Sequence, residues 1–162
     1  MRILTLYFSR SGHTKAAAQL VQEGAGGDIA RIRTRRSYAS SYAGAVIQGG
    51  IEVWRGARPS LLPPAVCPEA YDILFLGAPV WWHTIAPAMK SFLDAYDLSG
   101  KRVYPFLTSG GSPGDSFQEM ETSCRGARVG EGFHIYFKKD RMMADAEMIR
   151  HWARHCAEGG HG

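Results

Sequence analysis

The sequence has few cysteines and no long apolar run. Its three cysteines, Cys67, Cys124 and Cys156, lie far apart and form no CxxC pair, so their spacing predicts neither a disulfide framework nor a zinc site. No apolar stretch approaches the roughly 18 residues that a membrane-spanning helix needs. The first residues, MRILTLYF, are typical of a strand and not of a signal peptide. We therefore expect reduced, mostly buried thiols and a cytoplasmic protein.

Common nucleotide-binding and catalytic motifs are also missing. The chain contains neither a GxxxxGK[ST] phosphate loop nor a GxGxxG dinucleotide fingerprint. No Ser-His-Asp set and no pair of catalytic carboxylates is obvious. His151 and His155 have the i, i+4 spacing of metal ligands, but no third ligand is indicated, and we expect no metal site.

What the chain does contain is the composition of one globular domain. Its 162 residues are close to the commonest size of a domain, and 45% of them are hydrophobic and 21% charged, which are ordinary values for folded proteins. We therefore expect a single domain over residues 1–162.

Positive charge is concentrated in one segment. Residues 31–58 contain one acidic residue, Glu52, and six arginines: Arg31, Arg33, Arg35, Arg36, Arg55 and Arg58. A basic patch attracts anions of many kinds. The segment therefore indicates an acidic ligand or partner, although a solvated surface is the alternative.

Apolar runs alternate with helical patterns along the chain. Strands are predicted over residues 3–8, 28–32, 73–77 and 101–107, and within 129–136. Apolar spacing predicts helices after residue 14, around 43–48, from 86, around 117–124 and around 149–156. Five strands that alternate with helices predict an α/β fold with a doubly wound parallel sheet.

Three loops of unusual composition should leave the carboxyl edge of that sheet, where ligands bind in open α/β folds. The first, SRSGHT at 9–14, offers amides and hydroxyls at a helix N-terminus and suits a phosphate, or is an ordinary helix cap. The second, APVWWHT at 78–84, has two tryptophans that suit a planar ring or ordinary lid packing. The third, TSGGSPGDS at 108–116, could bring main-chain amides to a ring edge or simply join a strand to a helix.

Taken together, these blocks resemble a known family. YFSRSGHT, YDILFLGAPVWWHTIAPAMKSFL and SGKRVYPFLTSGGSPGDS are similar to the phosphate loop, the aromatic loop and the third flavin loop of flavodoxin-like FMN-binding proteins, in the same order. The resemblance extends from residue 1 to about residue 134. It implies a flavodoxin-like sheet of strand order 2-1-3-4-5, with helices on both faces, and FMN as the cofactor.

The resemblance also implies site residues. The FMN phosphate would be held by Ser9, Arg10, Ser11, Gly12, His13 and Thr14. The isoalloxazine would be flanked by Pro79, Val80, Trp81, Trp82 and His83, and its pyrimidine edge would meet Thr108, Ser109, Gly110 and Gly111. The chain departs from the family pattern where His13 replaces a frequent asparagine, and its pI of about 9.1 is unlike the acidic surface of small electron-shuttling flavodoxins.

The resemblance implies redox chemistry on the flavin, in one of two functions. The favoured one is an FMN-dependent oxidoreductase that takes electrons from NAD(P)H and passes them to a quinone or similar acceptor. The alternative is an electron carrier that works between protein partners. A phosphate-ligand module without flavin is a third possibility. The expected partner is a small redox substrate or a redox protein, with no nucleic acid and no membrane span.

Replacing Gly12 with valine should prevent FMN binding and leave the fold intact. The β-branched side chain would fill space that the phosphate needs, and it would strain the local backbone. Flavin content after purification, FMN affinity and far-UV circular dichroism measure the outcome. Full flavin content with unchanged affinity would refute the assignment of this loop.

Overall fold

The apolar runs of the sequence form the centre of one sheet. The computed structural model describes residues 1–37 and 41–160. Its five long strands are β1 (Ile3–Tyr7), β2 (Asp28–Arg31), β3 (Ile73–Trp81), β5 (Arg102–Ser109) and β7 (Phe133–Lys138). They lie in the spatial order β2-β1-β3-β5-β7, with parallel neighbours throughout. The predicted doubly wound sheet of order 2-1-3-4-5 is therefore confirmed.

Three two-residue strands extend this sheet. They are β4 (Thr84–Ile85), β6 (Arg128–Val129) and β8 (Arg141–Met142). β4 folds back antiparallel on β3, β8 does the same on β7, and β6 runs parallel to β5. The two antiparallel additions lie at the carboxyl ends of their strands, so each forms a tight hairpin at the edge where ligands are expected.

Helices cover both faces of the sheet. They are α1 (His13–Ala25), α2 (Tyr42–Arg55), α3 (Pro87–Ala95), α4 (Ser116–Ser123) and α5 (Ala146–Ala157). One core cluster packs α1 and α5 against Phe75, and the other packs α3 and α4 against Leu76 on the opposite face. None of the helices in the described residues is long and apolar enough to cross a membrane.

The structure differs from the sequence prediction at several boundaries. β3 continues through Trp81, so Pro79, Val80 and Trp81 belong to a strand and not to a loop, because pairing with β4 extends it. α2 spans fourteen residues and not only 43–48, since its two adjacent central glycines hide the helical pattern. The fifth long strand begins at Phe133, after the glycines, and ends at Lys138.

The cysteines follow the expectation of mostly buried thiols. Cys124 and Cys156 are buried, and Cys67 is exposed; all three are free of disulfides. Burial raises the pKa of Cys124 and of Cys156 to about 11. Both are therefore protonated thiols at neutral pH, and they pack as small apolar side chains.

α1 and α5 approach each other at a glycine. A Cβ on Gly24 would lie 2.8 Å from the Cα of Arg150 on α5, well inside van der Waals contact. An ion pair from Arg150 to Glu23 on α1 joins the two helices beside this point, and Arg150 also pairs with Glu147 within α5. The close approach fixes the angle at which α1 begins at the opposite end of the sheet.

Gly24→Ala should destabilise the protein, although alanine is the better helix former. The propensity gain is about 1 kcal/mol, whereas a forced shift of a packed backbone costs about 1 to 3 kcal/mol. Urea unfolding of the variant should show a net loss, and Gln19→Ala on the exposed face of α1 should stay within about 0.5 kcal/mol of the parent. A stabilised Gly24→Ala variant would show that α5 moves away freely.

Candidate functional site

A cavity of about 920 Å³ opens at the carboxyl edge of the sheet, within the size range of small-ligand sites. It gathers residues of all three predicted loops: Arg10, Ser11 and His13, then Pro79, Val80, Trp81 and Trp82, then Thr108, Ser109 and Gly110. Two cavities of about 510 Å³ lie elsewhere and contain none of the predicted site residues. The larger cavity is therefore the candidate site.

The loop that precedes α1 is held in one conformation by its own hydrogen bonds. Gly12 has φ of 97°, a left-handed conformation that glycine adopts at little cost. Its N–H donates to Ser9 Oγ at 3.1 Å, and the Arg31 guanidinium donates to the carbonyl oxygen of Ser9 at 2.6 Å. Ser9 therefore shapes the turn from below and is not part of the cavity wall.

The first turn of α1 has no capping side chain. Its N-cap residue is Gly12, no side chain accepts a cap hydrogen bond there, and the first turn contains no acidic residue. Ser41 caps α2 and Asp145 caps α5, whereas α3 and α4 lack a capping side chain as α1 does; of these uncapped starts, that of α1 lies at the cavity. The first-turn N–H groups of a helix need partners, and the helix dipole favours an anion beside them. This end of α1 therefore suits a phosphate group at the cavity.

A buried hydroxyl pair joins the first and third loops. Thr14 Oγ1 and Thr108 Oγ1 lie 2.7 Å apart, and the two residues are 1% and 2% exposed. Thr14 therefore supports the cavity from beneath its wall, while Thr108 reaches the wall itself. The contact fixes the end of β5 relative to the start of α1.

The second loop is a tight hairpin between β3 and β4. Its two turn residues, Trp82 and His83, have φ of 53° and 63°, which side chains other than glycine and asparagine rarely adopt. The Glu119 carboxylate on α4 accepts hydrogen bonds from the Thr84 hydroxyl and from the N–H of Ile85. His83 turns the chain and does not line the cavity.

The two adjacent tryptophans stand beside α2. A Cβ on Gly49 would lie 3.1 Å from the ring of Trp81, and one on Gly50 would lie 2.9 Å from the ring of Trp82. Glycines at these positions let α2 approach both rings. Trp81 also meets Phe8 edge to face, with 5.8 Å between ring centroids. The tryptophans thus form an apolar wall, as a planar ring requires.

Ser109 organises the third loop. Its hydroxyl donates to the carbonyl oxygen of Gly111 at 2.7 Å, which leaves its oxygen to accept from Nε2 of His134 at 2.7 Å. Burial lowers the pKa of His134, consistent with a neutral ring that donates this bond. Gly110 borders the cavity, while Gly111 lies outside its wall.

Two parts of the site were missed by sequence reasoning. One is the inner face of α2, and the other is the end of β7 with its hairpin: Tyr42, Ala45, Val46 and Gly49, then Tyr136, Phe137, Lys138, Lys139 and Asp140. Neither segment carries a motif. The strand order supplies a signal, because β7 lies next to β5 and its carboxyl end must therefore lie beside the loop that follows β5.

The arrangement fits FMN at both ends. A phosphate matches the uncapped start of α1, and a planar ring matches the cleft between the tryptophan wall and the amides of the third loop. Hydroxyls and main-chain groups lie between them. A doubly wound sheet with this site at its carboxyl edge defines an FMN-binding protein of the flavodoxin type.

Comparisons with known proteins agree. The family model described as Flavodoxin matches residues 2–153, and the chain belongs to the flavodoxin family. No curated protein matches. A solved structure from Bacteroides uniformis, described as a flavoprotein, is 28% identical, covers 93% of this chain and 96% of its own, and has a TM-score of 0.80.

Two more distant structures show the fold alone. A flavoprotein from Lactobacillus acidophilus, solved in complex with FMN, is 20% identical, with 82% of this chain and 92% of that chain covered and a TM-score of 0.71. The two-electron reduced flavodoxin of Megasphaera elsdenii is 17% identical, with 97% and 99% covered and a TM-score of 0.63.

Thr14→Val and Thr108→Val should each destabilise the protein, whereas the double variant should lose less than the sum. Each single change leaves one buried hydroxyl without its partner, at a cost of about 1 to 3 kcal/mol, while removing both leaves none unsatisfied. Urea unfolding of the four flavin-free proteins gives the coupling energy, which we expect to be at least about 1 kcal/mol. Losses that add to within about 0.5 kcal/mol would show that the pair is not coupled.

Proposed function

We propose that this protein is an FMN-dependent oxidoreductase that accepts electrons from NAD(P)H and passes them to a quinone or similar acceptor. Bound FMN supplies hydride and one-electron chemistry, and the protein binds and orients it. The residues of the cavity wall bind the FMN and orient it. The first turn of α1 and Ser11 bind the phosphate, and Trp81 and Val80 flank the ring.

The observation that carries the proposal is the set of arginines that remain available for a second anion. Arg31 is engaged by the carbonyl of Ser9, and Arg58 forms an ion pair with Asp94 at 2.7 Å. The other four are exposed and make no side-chain bond within residues 1–37 and 41–160: Arg33, Arg35, Arg36 and Arg55.

Three of these arginines, Arg33, Arg35 and Arg36, follow β2, and the segment after β2 leaves the same carboxyl edge as the cavity. Arg55 lies at the far end of α2. A nicotinamide dinucleotide carries two or three phosphate groups. Unpaired guanidinium groups attract and bind such phosphates. Their position supports a nicotinamide cofactor that approaches the flavin from the side of β2.

A specific surface favours the alternative, an electron carrier that docks with an acidic redox protein. The side of α2 that faces away from the sheet exposes Ile47, Ile51 and Trp54, the last 85% exposed. Exposed apolar residues beside positive charge are typical of a protein-binding surface. Because the other side of α2 borders the cavity, a partner docked there would lie close to the flavin.

Rapid mixing of the FMN-loaded protein with NADH and with NADPH tests the proposal. We expect one of them to bleach the flavin absorbance rapidly, and added salt to slow the reaction by screening the arginines. Replacing Arg33, Arg35 and Arg36 together with glutamine should lower the second-order rate by roughly a factor of ten at low salt, with flavin content unchanged.

The matched control removes three exposed arginines from the other parts of the surface, at Arg125, Arg128 and Arg154, and should reduce at the rate of the parent. A carrier would instead show negligible reduction by either nicotinamide. It would accept electrons from a reductase, and Trp54→Ala would slow that electron transfer. Fast reduction that salt and the arginine changes do not alter would exclude the arginines from nicotinamide binding.

A further inference from the structure

The hairpin between β7 and β8 brings positive charge to the candidate FMN cavity. Lys138 and Lys139 both line the wall, and neither makes a side-chain hydrogen bond or ion pair in the described part of the chain. Arg10, on the loop before α1, lines the same cavity. The one acidic residue in the same lining, Asp140, is bonded to His13. The isoalloxazine and ribityl groups are neutral, so they do not account for the excess of positive charge.

A contact between two elements places this hairpin beside the start of α1. Nε2 of His13 lies 3.1 Å from Oδ1 of Asp140, and the His13 ring stacks on Phe137 with 4.3 Å between centroids and an interplanar angle of 7°. A carboxylate only accepts hydrogen bonds, so Nε2 carries the proton that is shared. His13 is the first residue of α1, and the hairpin is therefore attached to the helix end that suits a phosphate.

The backbone of Lys139 supports a role at this position. Lys139 has φ of 56°, in the left-handed region that costs a side chain other than glycine or asparagine about 1 kcal/mol or more. Glycine or asparagine would relieve that strain in a two-residue hairpin turn. The turn therefore holds a lysine at the cavity wall in a position where glycine or asparagine would cost less.

We propose that the β7–β8 hairpin is a second wall of the phosphate site, in which Lys139, assisted by Lys138 and Arg10, binds the phosphate monoester of FMN as its counter-charge. A phosphate ester carries a charge of about −1.5 to −2 at neutral pH. The loop before α1 offers it mainly neutral donors. Asp140 accepts a hydrogen bond from His13 and sets the position of the turn. This inference rests on the proposed placement of the FMN phosphate at the start of α1.

The test compares FMN with riboflavin, which differs only by lacking the phosphate. Lys139→Asn removes the charge and keeps a residue that tolerates the left-handed backbone. We expect the FMN dissociation constant of the flavin-free protein to rise about fivefold, as for a partly exposed ion pair, and the riboflavin constant to stay unchanged. Raising the salt to about 0.5 M should remove most of the difference.

Two controls isolate the charge. Lys139→Arg should keep the affinity of the parent for FMN, and Arg154→Gln, an equal loss of charge on α5 away from the cavity, should change neither constant. Thermal unfolding of the flavin-free Lys139→Asn protein should show a melting temperature no lower than that of the parent, which excludes a folding defect.

Three results would overturn the inference. The first is that Lys139→Asn weakens the binding of FMN and of riboflavin equally, and the second is that it leaves FMN binding unchanged. The third is that it affects only reduction by NADPH, which would assign Lys139 to the nicotinamide phosphates. In each of these the proposed function stands. If the parent protein itself binds FMN no better than riboflavin, the placement of the phosphate fails, whereas the proposed oxidoreductase function fails only if neither nicotinamide reduces the bound flavin.

Discussion

Within the described residues no side chain caps the first turn of α1, and several contacts of the site hold that helix end in place. Gly12 turns the chain without adding a side chain of its own, Ser9 holds the turn, and Arg31 holds Ser9. At the far end of the helix, the close contact of Gly24 with α5 sets its direction. A helix end without a capping side chain favours an anion, so the backbone alone makes this end of α1 suited to a phosphate.

The ring end of the cavity is built differently, from hairpins and side chains. A turn with two left-handed residues closes β3 onto β4, and Glu119 fixes the short strand. Hydroxyls and a neutral histidine fix the third loop. These groups are buried or half-buried, so their hydrogen bonds are made within the protein before any ligand arrives. The site is preorganised by the same contacts that stabilise the carboxyl edge of the sheet.

The sequence predicted the sheet and its order because five apolar runs alternate with helical patterns, and parallel strands then leave few arrangements. It also predicted which three loops meet. It missed the hairpin after β7, because Lys138, Lys139 and Asp140 form no sequence motif. Their place at the site becomes visible only through the tertiary contact between Asp140 and His13. The length of α2 was underestimated since Gly49 and Gly50 weaken its pattern. The two tryptophan rings explain these glycines, because a Cβ at either position would crowd a ring. This is a tertiary contact, and local helix propensity carries no information about it.

Gly49 and Gly50 also lower the stability of α2, which forms one wall of the cavity, relative to that of α1. Helical glycine costs about 1 kcal/mol relative to alanine, and α2 contains Gly44, Gly49 and Gly50 while burying only Ala45 and Gly49. α1 buries four residues against the sheet. We therefore expect local opening at lower free energy in α2 than in α1, with earlier exchange of the α2 amide hydrogens. A planar ligand would then enter from the side of α2, while the start of α1 stays folded.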